Sequence, residues 1–297
     1  MDGIVRGPSA VSPSGARKKR RVGRKGVTLW IVFAIFCVYS LTLVFPFLWL
    51  TLNSLRDKVD FFYNPLSLPT KVIFKNYVQI FSDYNIGAMF INSIVLSVSG
   101  TAVSVLSGAM GAYVVSKYSF KLKNFIYGLA IALMIIPTGG SAAALYRFMF
   151  DTRLDNHFGV ILLYGGGFGF NFFLLYGFFK SISWSYAEAA QIDGASNFKV
   201  FILIMLPQAA PALLAVGIIV FIGLWNDYYT PYMFLRGHET LAVGIQKLSD
   251  TITNAENAYN FPAVFAAIFV ATLPVIVVFA CFQKTIIQNT VAGGLKG

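Results

Sequence analysis

Six long apolar runs, each separated from the next by a polar interval, set the pattern of this chain: about 27–52, 86–116, 125–148, 158–180, 208–235 and 261–283. About 20 consecutive apolar residues are needed to cross a bilayer as a helix. The pattern therefore predicts an all-α membrane protein of six transmembrane helices. Two runs are interrupted, the third by Pro137-Thr138-Gly139-Gly140 and the fourth by Gly165-Gly166-Gly167, with Gly169 ahead of Asn171. Broken helix at membrane depth persists only where it is buried in protein or lines a watery cavity. A pathway wall and close packing by glycine are the two accounts of these breaks. The second run spaces Gly100, Ser104, Gly108 and Ala112 four residues apart. Such a small-residue stripe lets helices approach closely in lipid and reads as structural.

The polar interval from Tyr186 to Pro211 carries more definite chemistry than a connector needs. Ser185 and Glu188 match a capping box, in which the hydroxyl and the carboxylate each satisfy a free amide at a helix start. Ala187, Ala189 and Ala190 give a helix with little bulk, open to close approach by another protein. Asp193-Gly194 ends it, since glycine takes the left-handed conformation at a helix C-terminus without steric cost. Ser196 is placed to cap a second short helix with Phe198, Phe201 and Ile202 at helical spacing. Pro207 and Pro211 suit the first turn of the next span, where their missing amides cost little. An interfacial hairpin in which Glu188 only caps is the plainer alternative.

Two further intervals, 53–84 and 236–261, read as loops on the opposite side. The first holds Phe61-Phe62-Tyr63 and then Asn64 to Pro69, whose two prolines keep the chain extended. In the fifth run, Trp225-Asn226-Asp227-Tyr228 places a carboxylate at membrane depth or in an interfacial aromatic belt. Trp225 and Tyr228 add two aromatic faces to this segment. Asn171, Trp225, Asn226, Asp227 and Tyr228 are the candidate substrate-pathway residues.

Composition sharpens this reading. Of the 297 residues 57% are hydrophobic and 12% charged, about half the charge of an ordinary soluble domain. The net charge is +11. Residues 1–26, 117–124, 180–207 and 284–297 hold 15 of the 23 lysines and arginines but only 3 of the 12 acidic residues. By the positive-inside rule these segments and both termini are cytoplasmic. The basic balance thus reports topology, and no nucleic acid partner is implied. The domains follow: a disordered basic N-terminus 1–26, a six-span domain 27–283 with the loop 181–207 inside it, and a cytoplasmic tail 284–297. The run after Arg17-Lys18-Lys19-Arg20-Arg21 is too long for a secretory signal. Cys37 and Cys281 lie in apolar runs, and His157 and His238 lack an HExxH pattern, so neither a disulfide framework nor a metal site is expected. No GxxxxGK[ST] occurs, so the chain builds no P-loop of its own.

The succession EAA, DGA and a hydrophobic run into LP resembles the cytoplasmic loop of permease subunits in binding-protein-dependent ABC importers. Glu188, Ala189, Ala190, Asp193, Gly194, Ala195, Phe198, Leu206 and Pro207 fall where that family's pattern places them; Ser183 departs from it, standing where the family commonly has proline. The stretch Asn64 to Pro69, Gly177 to Ile182, Trp225-Asn226-Asp227 and the Gly-Leu-Lys-Gly ending are similar to the carbohydrate branch, and most to its second, maltose-type permease subunit. The resemblance implies a type I ABC importer permease fold, with coupling helices between spans four and five. It implies a non-catalytic subunit in a bacterial cell membrane. Its implied partners are a second homologous permease, two ATPase subunits that bind ATP and Mg, an extracytoplasmic solute-binding protein and membrane lipid. Glu188, Ala189, Ala190, Asp193, Gly194, Phe198, Leu206 and Pro207 would couple to the ATPase. A sugar or oligosaccharide is the implied solute. A non-sugar solute on the same fold, or an ion-coupled secondary transporter, is the alternative, although spans one to four show no clear intramembrane relay.

Overall fold

The computed structural model describes residues 23–136, 138–254 and 260–294, and the side chains of 27–136, 140–251 and 260–283. Residues 1–22, Pro137, most of the basic N-terminus and the end of the tail lie outside the described residues. The chain divides into two units, Met1–Trp49 and Leu50–Gly297.

Apolar sequence becomes helix throughout, and no strand occurs among the described residues. This is the outcome that lipid imposes, because a helix satisfies every backbone group within itself. The first unit contains most of α1 (Gly23–Ser54), which begins four residues before the expected apolar boundary and carries Pro46 in its interior. In the second unit, the expected loop 53–84 is partly helical, with α2 (Lys58–Tyr63) and α3 (Lys75–Ser82). Next come α4 (Ile86–Lys117) and α5 (Lys123–Ile135). A tight 3₁₀ turn (Thr138–Ser141) then leads into α6 (Ala142–Asp151). The helices α7 (His157–Tyr164) and α8 (Phe170–Ser181) are parted by glycine-rich chain.

Among the described residues, only α1, α4 and the helix from Phe261 are long and apolar enough to cross a membrane unbroken. The third and fourth expected spans are each divided at the interruption seen in the sequence. For the fourth, the physical reason is contact with α4. Ser107 Oγ donates to the Gly165 carbonyl at 2.6 Å. A Cβ on Gly167 would stand 2.4 Å from the Gly108 amide nitrogen and from the Ser104 carbonyl oxygen. Two backbones therefore touch here, which only glycine on each side permits. The stripe Gly100, Ser104, Gly108 and Ala112 is buried along α4, as its spacing predicts. The glycine break at 165–167 is thus a site of close packing.

The chain continues through α9 (Ser185–Ile192), α10 (Asn197–Val200), a π-helical turn (Phe201–Met205) and α11 (Leu206–Gln208). After Ala209, α12 (Ala210–Asn226) sets off at 77° to the segment Asn197–Gln208. Pro211 in its first turn cannot donate to a preceding helix, which explains the break. The fifth expected run then ends in the separate short helix α13 (Tyr229–Phe234). The expected loop 236–261 instead contains α14 (Leu241–Asn254). Its amphipathic pattern buries Leu241 and Leu248 with Trp225 and Ala263. The Leu241 amide donates to the buried Ser93 Oγ of α4 at 2.7 Å. Finally α15 (Phe261–Gly294) runs past Pro274 and eleven residues beyond the expected end of the sixth span.

α4 is the centre of the bundle. It packs most extensively on α8 and α12, then on α7 and α14.

One buried charge organises the segment after α1. Arg56 is wholly buried and donates to Asn53 Oδ1, Asp60 Oδ2, the carbonyls of Asp60, Asn64 and Ser67, and Ser67 Oγ. The guanidinium fork satisfies five donors in one plane, so the extended stretch after α2 is wrapped around it. The hydrogen bond from Arg56 holds the Asp60 carboxyl below its ordinary value. Asn76 Nδ2 closes the structure by donating to the Ser54 and Arg56 carbonyls at 2.8 and 2.7 Å.

Candidate functional site

The hairpin α9–α10 is built from local rules. The Ala187 and Glu188 amides donate to the Trp184 carbonyl at 2.8 and 3.1 Å, so Trp184 is the cap residue and Ser185 is already inside the helix. The expected capping box is therefore corrected: neither Ser185 nor Glu188 caps this helix. Ser183 Oγ instead accepts from the Ser185 amide at 3.3 Å, and Glu188 is left free of capping. At the other end Gly194 has φ +81°. Its amide donates to the Gln191 carbonyl at 3.0 Å, and the Ala195 amide donates to the Ala190 carbonyl at 2.9 Å. This pair of bonds is the Schellman arrangement that closes a helix C-terminus. Ser196 Oγ accepts from the Lys199 amide at 3.4 Å, capping α10 as its position predicts. Gln191 Nε2 donates to Asn197 Oδ1 at 2.9 Å across the turn. Pro207 and Pro211 both stand in first turns.

The hairpin has a buried side and a bare side. Ala187, Val200, Phe201 and Met205 are buried in one cluster with Tyr113, Leu175 and Phe179. Tyr113 is the hub, with ring centroids 5.0 Å from Phe201, 5.6 Å from Phe179 and 5.6 Å from Tyr118. On the bare side Ile192 is 86% and Phe198 64% exposed. Glu188, Ala189, Asp193 and Gly194 are exposed around them, while Ala190 and Leu206 are half-buried. Glu188 makes no ion pair among the described residues. Large apolar side chains lie bare here on a polar rim, beside an unpaired carboxylate, the composition of a surface able to meet another protein.

The other candidate residues fall into different environments. Trp225 is only 4% exposed. Its indole donates to the Ala271 carbonyl at 3.0 Å, and its ring lies against Phe90 and Phe221 at 5.7 and 5.9 Å. It is a core residue, with its faces already occupied. Asp227 Oδ2 accepts from the Tyr164 hydroxyl at 2.9 Å, and its Oδ1 from the Thr230 amide at 3.1 Å. The carboxylate thus ties α7 to the start of α13. Asn226 is exposed and donates to the Ile222 carbonyl at 2.8 Å. Tyr228 is exposed with its ring tilted against Tyr232 at 5.8 Å. Asn171 is half-buried in the first turn of α8 and shares none of these contacts. His157 and His238, far apart in the chain, lie ring to ring at 5.2 Å. No third metal-ligating side chain joins them among the described residues.

Sequence reasoning missed the aromatic cluster that carries the hairpin. Its signal was present in Tyr113, Tyr118, Phe179, Trp184 and Phe201, all near the ends of apolar runs, but aromatics there also fit an interfacial belt.

Residues 104–290, which include the hairpin and α12, match the family of inner membrane components of binding-protein-dependent transport systems. The chain belongs to this family. It is accordingly a multi-pass membrane protein and a transporter permease subunit. Among this family's relatives, the diacetylchitobiose uptake system permease protein NgcG of Streptomyces coelicolor is 33% identical over 268 residues, covering 90% of this chain and 88% of that protein. The melibiose/raffinose/stachyose import permease protein MelC of Bacillus subtilis is 30% identical, covering 85% and 91%. A chain in the crystal structure of a bacterial ABC transporter involved in import of the acidic polysaccharide alginate superposes with a TM-score of 0.74 at 26% identity. The match covers 88% of this permease and 97% of that chain. The fold is thus that of a type I ABC importer permease.

Proposed function

We propose that this permease carries a sugar or oligosaccharide inward as half of a two-permease pathway. The hairpin α9–α10 docks on a cytoplasmic ATPase subunit that supplies ATP hydrolysis, and a solute-binding protein delivers the solute from outside. The observation that carries the coupling role is the bare face of the hairpin, where Ile192 and Phe198 flank Glu188. An apolar centre with the free carboxylates of Glu188 and Asp193 beside it suits a cleft that offers an apolar floor and a basic group. The carbohydrate assignment is supported by what the relatives are named for: diacetylchitobiose, melibiose, raffinose, stachyose and alginate. Asn171, Asn226, Asp227 and Tyr228 stand as pathway residues. Trp225 serves them from behind, fixing the end of α12 through its bond to Ala271. ATP and Mg belong to the ATPase, and both termini of this chain face the cytoplasm.

The docking role is tested with Glu188→Lys in the reconstituted transporter. Removing one member of a desolvated interface charge pair costs roughly 2 to 5 kcal/mol. ATPase subunits should therefore dissociate during purification while membrane insertion persists; full retention of the ATPases removes the assignment. The solute class is tested by calorimetry of the cognate solute-binding protein against disaccharides, amino acids and peptides. Binding of a non-saccharide alone would overturn it.

A further inference from the structure

The hairpin meets more than the helices that precede and follow it in sequence. Lys117 is the last residue of α4, and its Nζ donates to the carbonyl of Ile182. Ile182 is the residue that closes α8, so the ammonium satisfies a carbonyl left without an intrahelical partner, at the end of the helix where positive charge is favoured. The next residue, Tyr118, sets its ring edge-on to Trp184 at 5.5 Å, and Trp184 caps α9. The Tyr118 and Tyr113 hydroxyls are 3.2 Å apart, and Tyr113 in turn packs on Phe179 of α8 and on Phe201 beyond α10. Two consecutive residues at the end of α4, Lys117 and the cap residue Tyr118, therefore hold the two residues that frame the start of the hairpin. Ser183 stands between them, and its Oγ accepts from the Ser185 amide at 3.3 Å; the direction of the chain into α9 is set here by side-chain contacts.

We propose that Lys117 is a positioning residue that latches the hairpin to α4, so that displacement of the hairpin is delivered directly to the central helix of the bundle. The inference rests on the docking role proposed above. α4 packs on α8, α12, α7 and α14, so a push applied at its end reaches all four. Without the latch the hairpin keeps its covalent links to α8 and, through the π-helical turn, to α12, but holds α4 only by the aromatic contacts of Tyr113 and Tyr118. Lysine reaches this carbonyl with a single point donor; arginine has the length and charge to replace it, whereas methionine has the bulk without the donor.

The test uses the whole transporter in nanodiscs, with Cys37 and Cys281 replaced by serine. Spin labels are placed at Met110 on α4 and Leu203 beyond α10, both exposed. Their separation is measured without nucleotide and after trapping with ATP and vanadate. With Lys117 present, and in Lys117→Arg, trapping should leave the separation unchanged because the two elements move as one body. In Lys117→Met the ATPases should remain bound while trapping shifts and broadens the distance distribution. ATP hydrolysis should then respond to the loaded binding protein about fivefold less or worse, the lower end of ordinary coupling effects. An unchanged separation in Lys117→Met overturns the latch. So does loss of the ATPases from that variant, which would place Lys117 in docking. If the unsubstituted chain holds no ATPase, or Glu188→Lys holds it fully, the docking reading fails instead.

Discussion

Gly194 offers the sharpest test of the hairpin because conformation and contact can be separated there. Its φ is +81°, and a Cβ built on it meets no atom within 4 Å. Substitution therefore brings no clash with the rest of the protein, and its cost is that of the left-handed backbone alone. For an L-residue with a Cβ this is roughly 1 to 2 kcal/mol, less for asparagine, which visits that region more readily. Proline differs in kind: its φ is fixed near −65°, and it loses the amide that donates to the Gln191 carbonyl at 3.0 Å. Together these cost about 3 kcal/mol or more. The expected order for ATPase retention and binding-protein-stimulated ATP hydrolysis is glycine, then asparagine, then alanine, with proline far behind. A loss of 1 to 2 kcal/mol, if it falls on the docking-competent turn, lowers apparent ATPase affinity about 5- to 30-fold. The assay is titration of ATPase subunits onto permease variants in nanodiscs. Alanine binding as well as glycine, or asparagine falling below alanine, would refute the argument.

Two other changes probe the frame around the site. Gly167→Ala places a methyl against the Gly108 amide and the Ser104 carbonyl; overpacking of this kind costs about 1 to 3 kcal/mol, so the thermal midpoint in detergent should fall by several degrees, while Gly177→Ala, inside α8 with open space at its Cβ, should hold or raise it, because alanine is the better helix former. Arg56→Leu removes the donors around which residues 53–67 fold, a loss on the order of 3 kcal/mol. Limited proteolysis should then cut between α2 and α3, with Arg56→Lys intermediate because it lacks the planar fork.

Much of this architecture could be read from residue order. The small-residue stripe on α4, the breaks in the third and fourth runs, the turn at Gly194, the cap at Ser196 and the two first-turn prolines all follow from local stereochemistry, which a sequence displays directly. What escaped has a common cause. Trp225 sits in a Trp-Asn-Asp-Tyr segment that fits an interfacial belt as well as a core, and only the Ala271 carbonyl and the rings of Phe90 and Phe221 decide between them. Arg56 is enclosed mainly by backbone carbonyls, which leave no trace in residue types. The amphipathic helix α14 lay hidden because its polar face made the stretch look like loop. The start of α9 moved by one residue because Ser183, as well as Ser185, offers a hydroxyl near the first free amides.

The backbone contact between Gly108 and Gly167 has a mechanical corollary. With no side chain between them, and with Ser107 fastened to the Gly165 carbonyl, α4 cannot slide past the junction of α7 and α8 without pulling that bond apart. Tilting keeps both intact. Any tilt of α4 that keeps both contacts turns about this junction as a fulcrum, which would send its two ends in opposite senses.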